Sequence, residues 1–120
     1  MDKEQMKRRT KQFALRIIRL VQWLPKEPTA QVLGRQLLRS GTSVGANYRA
    51  ACRAKSTADF ISKMGTVEEE ADESLYWMEL LVEADIVKLD RLESLMKEAD
   101  ELLAITVASI NTAKRRRGKK

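Results

Sequence analysis

Apolar residues recur every three or four positions along most of this chain, and the recurrence breaks three times. Over Lys3–Leu24, the residues Met6, Phe13, Ile17, Leu20 and Leu24 share one face of a helix, with Thr10 in the same register. Ala14, Ile18 and Val21 widen that face. The run "LPKEP" ends it, because a residue before proline is pushed out of helical geometry, here Leu24 before Pro25. Pro28 can then open a second helix at its first position. Its stripe is Ala30, Leu33, Leu37, Val44, Tyr48 and Ala51, with Gly41 in register, and the segment ends near Lys55. Ser56 is a helix-capping residue, with Asp59 three positions on as a shortened capping box. The third stripe, Phe60, Met64, Val67, Ala71, Ser74, Met78 and Leu81, alternates steps of four and three up to about Ala84. After a turn at "DIVKLD", a fourth helix is expected from Leu89 to Ala113. Its stripe is Leu92, Leu95, Met96, Ala99, Leu102, Leu103, Thr106 and Ile110. Four amphipathic helices on short connections predict an all-α, antiparallel, up-down four-helix bundle over residues 1–113.

The stretch "RSGTSVGANYRAACRAKS", Arg39–Ser56, disturbs this regular picture. At roughly 100° per residue, Gly34, Gly41, Gly45 and Cys52 project to one side of the second helix, beside its apolar stripe. Gly41-x-x-x-Gly45 is a spacing that lets two helices approach closely. A glycine inside a helix costs about 1 kcal/mol relative to alanine, so several together call for a packing return. The stretch therefore predicts a second helix that is continuous, or kinked near Gly41–Gly45. The alternative is a break at Ser40–Ser43, with Thr42 or Ser43 capping a new helix. A phosphate loop of the G-x-x-x-x-G-K-[ST] kind is not present: Ala46 and Asn47 follow Gly45, and no strand precedes it.

Composition sharpens the picture. Charged residues make up 33% of the 120-residue chain and apolar residues 43%, with five glycines and two prolines, which suits one soluble helical domain. No apolar run approaches the roughly 20 residues of a membrane span. The first ten residues lack a signal-peptide core. One cysteine, Cys52, suits a reducing compartment, so a cytoplasmic location is expected. There is no histidine, which removes the usual general base and the commonest metal ligand. Glu69, Glu70 and Glu73 are ordinary for a solvated helix and have no nucleophile–base partner, so no catalytic residue, metal or cofactor is expected.

The net charge is +6, from 23 basic and 17 acidic residues. The last seven residues, "KRRRGKK", hold six of the basic ones, and the remainder balances. This tail, 114–120, has no apolar residue and is expected to be disordered. On the second helix Arg35, Arg39, Arg49 and Arg53 fall in a narrow sector opposite the apolar stripe. They could contact phosphates, meet an acidic face such as Glu68, Glu69, Glu70, Asp72 and Glu73, or stand in solvent. Lys114, Arg115, Arg116 and Arg117 add to the candidate nucleic-acid surface. Glu70 and Trp77, seven residues apart at the flank of the third stripe, suggest a subunit interface. Trp77 could equally complete its own core.

The sequence also resembles a known family. "LPKE", then "QLLRSGTSVGAN", then "DF" is similar to the bacterial four-helix-bundle proteins that include those encoded within intervening sequences of 23S ribosomal RNA genes. The accessory variability protein of diversity-generating retroelements is similar too. The likeness spans about Phe13–Leu103 and is sharpest over Gln36–Phe60. The family pattern resembles Q-L-x-R-x-x-x-S-[IV]-P-x-N-I-A-E-G. Gln36, Leu37, Arg39, Ser43, Val44 and Asn47 match it, whereas Gly45 replaces the proline and Tyr48-Arg49-Ala50-Ala51 replaces Ile-Ala-Glu-Gly. Glu69-Glu70 stands where many members have Gly-Ser, while Glu73 matches. The resemblance implies a homopentameric ring without established catalysis, with nucleic acid as a partner of some members. It leaves room for a protein partner such as a reverse transcriptase. Subunit contacts are expected at Asn47, Tyr48, Glu70, Glu73 and Trp77.

Overall fold

The helices begin where side chains can take up their first free amide groups. In the computed structural model, which describes residues 1–118, these are α1 (Lys3–Gln22), α2 (Pro28–Ala51), α3 (Thr57–Glu83) and α4 (Leu89–Gly118). Asp2 accepts from the Gln5 N–H at 2.8 Å, and the Gln5 side chain accepts from the Asp2 N–H at 2.9 Å, a reciprocal cap. Glu27 accepts from the N–H groups of Thr29 and Ala30 at the start of α2, with Pro28 at its first position. Ser56 accepts from Asp59 N–H at 3.0 Å, while Asp59 accepts at 3.0 Å from the N–H of Lys55, one residue ahead of the cap, so Ser56 caps the helix without the reciprocal bond of the expected capping box. α3 ends with Asp85 in left-handed geometry, φ 60°, while the N–H groups of Ile86 and Val87 return to the Leu81 carbonyl.

The chain forms an antiparallel four-helix bundle with no strand among the described residues, 54 × 21 × 20 Å in extent. Neighbours in sequence pack together, and α1 meets α4 over the shortest stretch. The core holds the expected stripes. Met6, Phe13 and Ile17 come from α1, Leu37 and Val44 from α2, Met64, Val67, Met78 and Leu81 from α3, and Leu92 and Leu102 from α4. Phe60, near the first turn of α3, is half-buried. Thr10 and Thr106 are buried and donate to the carbonyls of Met6 (2.9 Å) and Leu102 (2.7 Å), which removes the penalty of an unpaired hydroxyl. Ser40 and Ser74 are buried as well, their hydroxyls 3.0 Å apart across the α2–α3 interface.

α2 runs without a break through Ser40–Gly45, so the alternative of two short helices does not hold. Thr42 and Ser43 donate to the carbonyls of Leu38 and Arg39, back-bonding that bends helices rather than ending them. The helix stops at Ala51, four residues before the expected end, in a turn through Cys52 and Arg53. The glycines face α1. A Cβ on Gly41 would collide with the Ile17 side chain, one on Gly34 would lie 2.7 Å from Leu24 Cδ1, and one on Gly45 would lie 3.1 Å from Thr10 Oγ1. Close approach is therefore the return on three helical glycines.

Two expectations are corrected. α4 passes the boundary placed at residue 113, and Lys114–Gly118 are helical rather than disordered. Lysine and arginine are good helix formers, and their charge suits a helix C-terminus. Lys119 and Lys120 of the expected tail lie outside the described residues. Gly65 is the opposite case to Gly41. It lies inside α3 with nothing within 4 Å of a would-be Cβ. Gly65→Ala is expected to stabilise the protein by about 1 kcal/mol. The check is a higher urea midpoint at unchanged m-value.

Candidate nucleic-acid interface

The balanced charge of residues 1–113 conceals a segregation. Residues 1–56, which contain α1 and α2, carry 13 basic and 3 acidic side chains, whereas residues 57–113 carry 4 basic and 14 acidic. Because α1 packs on α2 and α3 on α4, the bundle has a basic layer and an acidic layer. Two ion-pair clusters stand where the layers meet. Arg9 of α1 donates through Nε and Nη2 to both oxygens of Glu98 on α4 (2.7 and 2.8 Å), and through Nη2 to Glu101 (2.7 Å). This forked contact with Glu98, helped by Glu101, raises the already high guanidinium pKa of Arg9 further, against the opposing effect of burial. Arg39 of α2 donates to Glu70 (3.2 and 3.3 Å) and Glu73 (2.9 Å) on α3. With Arg39 about half exposed, that contact contributes at most about 1 kcal/mol.

The four arginines of the sequence stripe therefore divide. Arg39 joins α2 to α3 within one chain. Arg35, Arg49 and Arg53 are exposed and form no ion pair among the described residues. The cations that accompany Arg49 come from α1: Lys7, Arg8 and Lys11 line the same α1–α2 groove. Periodicity alone does not single out these three. The signal was present in "KRRTK", but the spacing along one helix does not say which cation turns toward α2 and which, like Arg9, turns toward α4. At the near end of the bundle, Lys3, Lys55 and Arg116 rim a concavity over Cys52 and Phe60. This brings the helical basic extension of α4, Lys114, Arg115, Arg116 and Arg117, to the same end as Arg53.

The expected subunit-contact residues have mostly local roles. Tyr48 is only 8% exposed and belongs to the core of its own bundle. Burial, with Cys52 beside it, pushes its phenol above the ordinary tyrosine range. Glu70 and Glu73 are engaged by Arg39 of the same chain, and the Asn47 amide donates to the Ser43 carbonyl at 2.8 Å. Trp77 is half-buried against the core, yet its indole N–H is buried with no acceptor among the described residues. Exposed Tyr76 packs edge-on against it, with centroids 5.2 Å apart.

Among the described residues, no group of three or more Cys, Asp or Glu side chains is arranged to hold a metal ion, and no helix is long and apolar enough to cross a membrane. Fold and surface thus define a small helical bundle whose distinguishing chemistry is the sorting of charge between two layers. The chain belongs to the 23S rRNA-intervening sequence protein family, whose model matches residues 2–108. It is also similar to a crystal structure from Bacteroides thetaiotaomicron, a protein of unknown function from the S23 ribosomal protein family. That structure superposes with a TM-score of 0.86 at 37% identity, over 92% of this chain and 99% of the other. No curated protein matches the chain.

Proposed function

We propose that this protein is a non-enzymatic, homo-oligomeric scaffold, pentameric as its resemblance implies, that binds structured RNA or DNA through a basic surface. The carrying observation is the outer face of the α1–α2 layer, where Arg35, Arg49 and Arg53 stand exposed without ion-pair partners among the described residues. A nucleic-acid backbone is a dense array of negative charge and supplies the partner these groups lack. Repetition of the face around a ring would multiply weak contacts into avidity.

The acidic α3–α4 layer favours a second reading: a protein-interaction module in which the basic layer of one subunit meets the acidic layer of the next. Gel-shift titrations with a structured RNA and with duplex DNA, with and without residues 114–120, separate the two. The first reading expects retardation at low salt that weakens steeply as salt rises. No retardation of either form sinks it. Light scattering is expected to give five times the 13.7 kDa chain mass. A monomer would contradict both readings. An Arg49→Glu/Arg53→Glu protein that dissociates would favour the second.

A further inference from the structure

A groove runs between α1 and α2 in the basic layer, and its chemistry is selective. Lys7 and Lys11 of α1 lie one turn apart, about 6 Å along the helix, and face Arg49 of α2 across it. Arg8 stands at its mouth, and Glu4 is the one acid there, 3.5 Å from Lys7. Thr10, Ala14, Thr42, Gly45 and Ala46 also line the groove. All are small, so an approaching chain meets backbone-hugging surface rather than a wall. Their hydroxyls are already committed: Thr10 donates to Met6 O at 2.9 Å and Thr42 to Leu38 O at 2.8 Å. The groove offers positive charge and little else with which to read a base edge.

It also has no stacking platform. The two exposed aromatic side chains are Trp23, 76% exposed, and Tyr76, 52% exposed. Trp23 lies by Pro25 and Ile86 at the far end of the bundle, and Tyr76 is on the acidic α3. Proteins that hold single strands rely on aromatic faces beside their cations, each stacked base contributing about 1–3 kcal/mol. A double helix needs none, because its bases are already stacked and its phosphates are presented at higher density.

We infer that the α1–α2 groove, with Lys7, Lys11 and Arg49 as phosphate contacts and Arg8 at its edge, is a docking site for the backbone of double-helical nucleic acid, bound without base recognition. Charge complementarity selects this occupant. Lys3, one turn from Lys7, belongs with Lys55 and Arg116 to a separate concavity at the end of the bundle, over the half-buried Phe60. Arg35 lies more than three helical turns from Arg49 along α2 and outside the groove, so the groove is one part of the wider basic face. The inference deepens the nucleic-acid reading of the protein and rests on it.

The test is fluorescence anisotropy with the full chain and three labelled probes: a 20-bp RNA duplex, a DNA duplex of the same sequence, and a single-stranded 20-mer of uridine. Both duplexes are expected to bind, and the single strand at least tenfold more weakly. The triple variant Lys7→Gln/Lys11→Gln/Arg49→Gln is expected to lose at least tenfold in affinity and to lower the slope of log K against log salt by about three. Lys97→Gln, on the acidic layer, is expected to leave both unchanged. A single strand bound as tightly as the duplexes overturns the inference, as does a triple variant with unchanged affinity. Light scattering on the triple variant is the second measurement, because none of these three side chains belongs to the core. A change in its mass identifies the groove as a subunit contact and overturns the site. Failure of the wild-type chain to bind any probe removes the nucleic-acid reading itself, whereas duplex binding that ignores the groove removes only the inference.

Discussion

Gly41→Leu is expected to lower stability by about 3 kcal/mol, at the upper end of what overpacking does to a filled core. The added carbons meet more than a flexible tip. A Cβ alone would collide with Ile17 Cδ1, and it would lie 3.1 and 3.3 Å from Ile17 Cγ2 and Cγ1. Ile17 is fully buried and β-branched, so in a helix it has essentially one side-chain rotamer and cannot swing aside. Gain in helix propensity, about 1 kcal/mol for leaving glycine, does not offset separation of α1 from α2. Gly34→Ala makes a useful comparison. There the tight contact is with the far methyl of Leu24 alone, so its net effect should stay within about 1 kcal/mol. Urea unfolding followed by circular dichroism checks both, and equal midpoints for the two variants would refute the packing account.

Ile17→Ala is expected to cost about 3–4 kcal/mol, within the range for removing a buried isoleucine side chain beyond Cβ. The vacated space lies against Gly41, so the hole and the overpacked site are the same place. Combined with Gly41→Leu, the loss should therefore be smaller than the sum of the two single losses, by about 1.5 kcal/mol or more. The new leucine fills what the isoleucine vacated. Strictly additive losses in the double-mutant cycle would mean that the two positions do not share one contact.

These two predictions concern the feature that the sequence made most conspicuous, and it was legible for a physical reason. Small residues spaced by four and seven positions fall on one side of a helix whatever the tertiary context. The same periodicity located the core, from Met6 to Ile110, while Pro28 and the capping Ser56 located the starts of α2 and α3. Failures came where one helix alone does not carry the information. Ser40 reads as polar, yet it is buried because Ser74 lies opposite it across α2–α3. The helical end of α4 is not legible in the sequence, because a run of cations with no apolar residue shows no stripe. An exposed helix turn of lysine and arginine needs no core of its own when it continues a helix already formed.

Arg39 gives the sharpest division. On the helical wheel it is indistinguishable from Arg35, Arg49 and Arg53. In the bundle it alone among the four reaches Glu70 and Glu73, 31 and 34 residues away in sequence. Arg9 likewise reaches Glu98, 89 residues away, while its neighbours Arg8 and Lys11 turn toward the α1–α2 groove. By itself the sequence determined four helices, the faces that enter the core and the close approach at the glycines, because periodicity and capping act over one or two turns. Tertiary structure decided which cations are spent within the chain and which remain on its surface. That outcome depends on the register between helices distant in sequence, and a short-range pattern does not encode it.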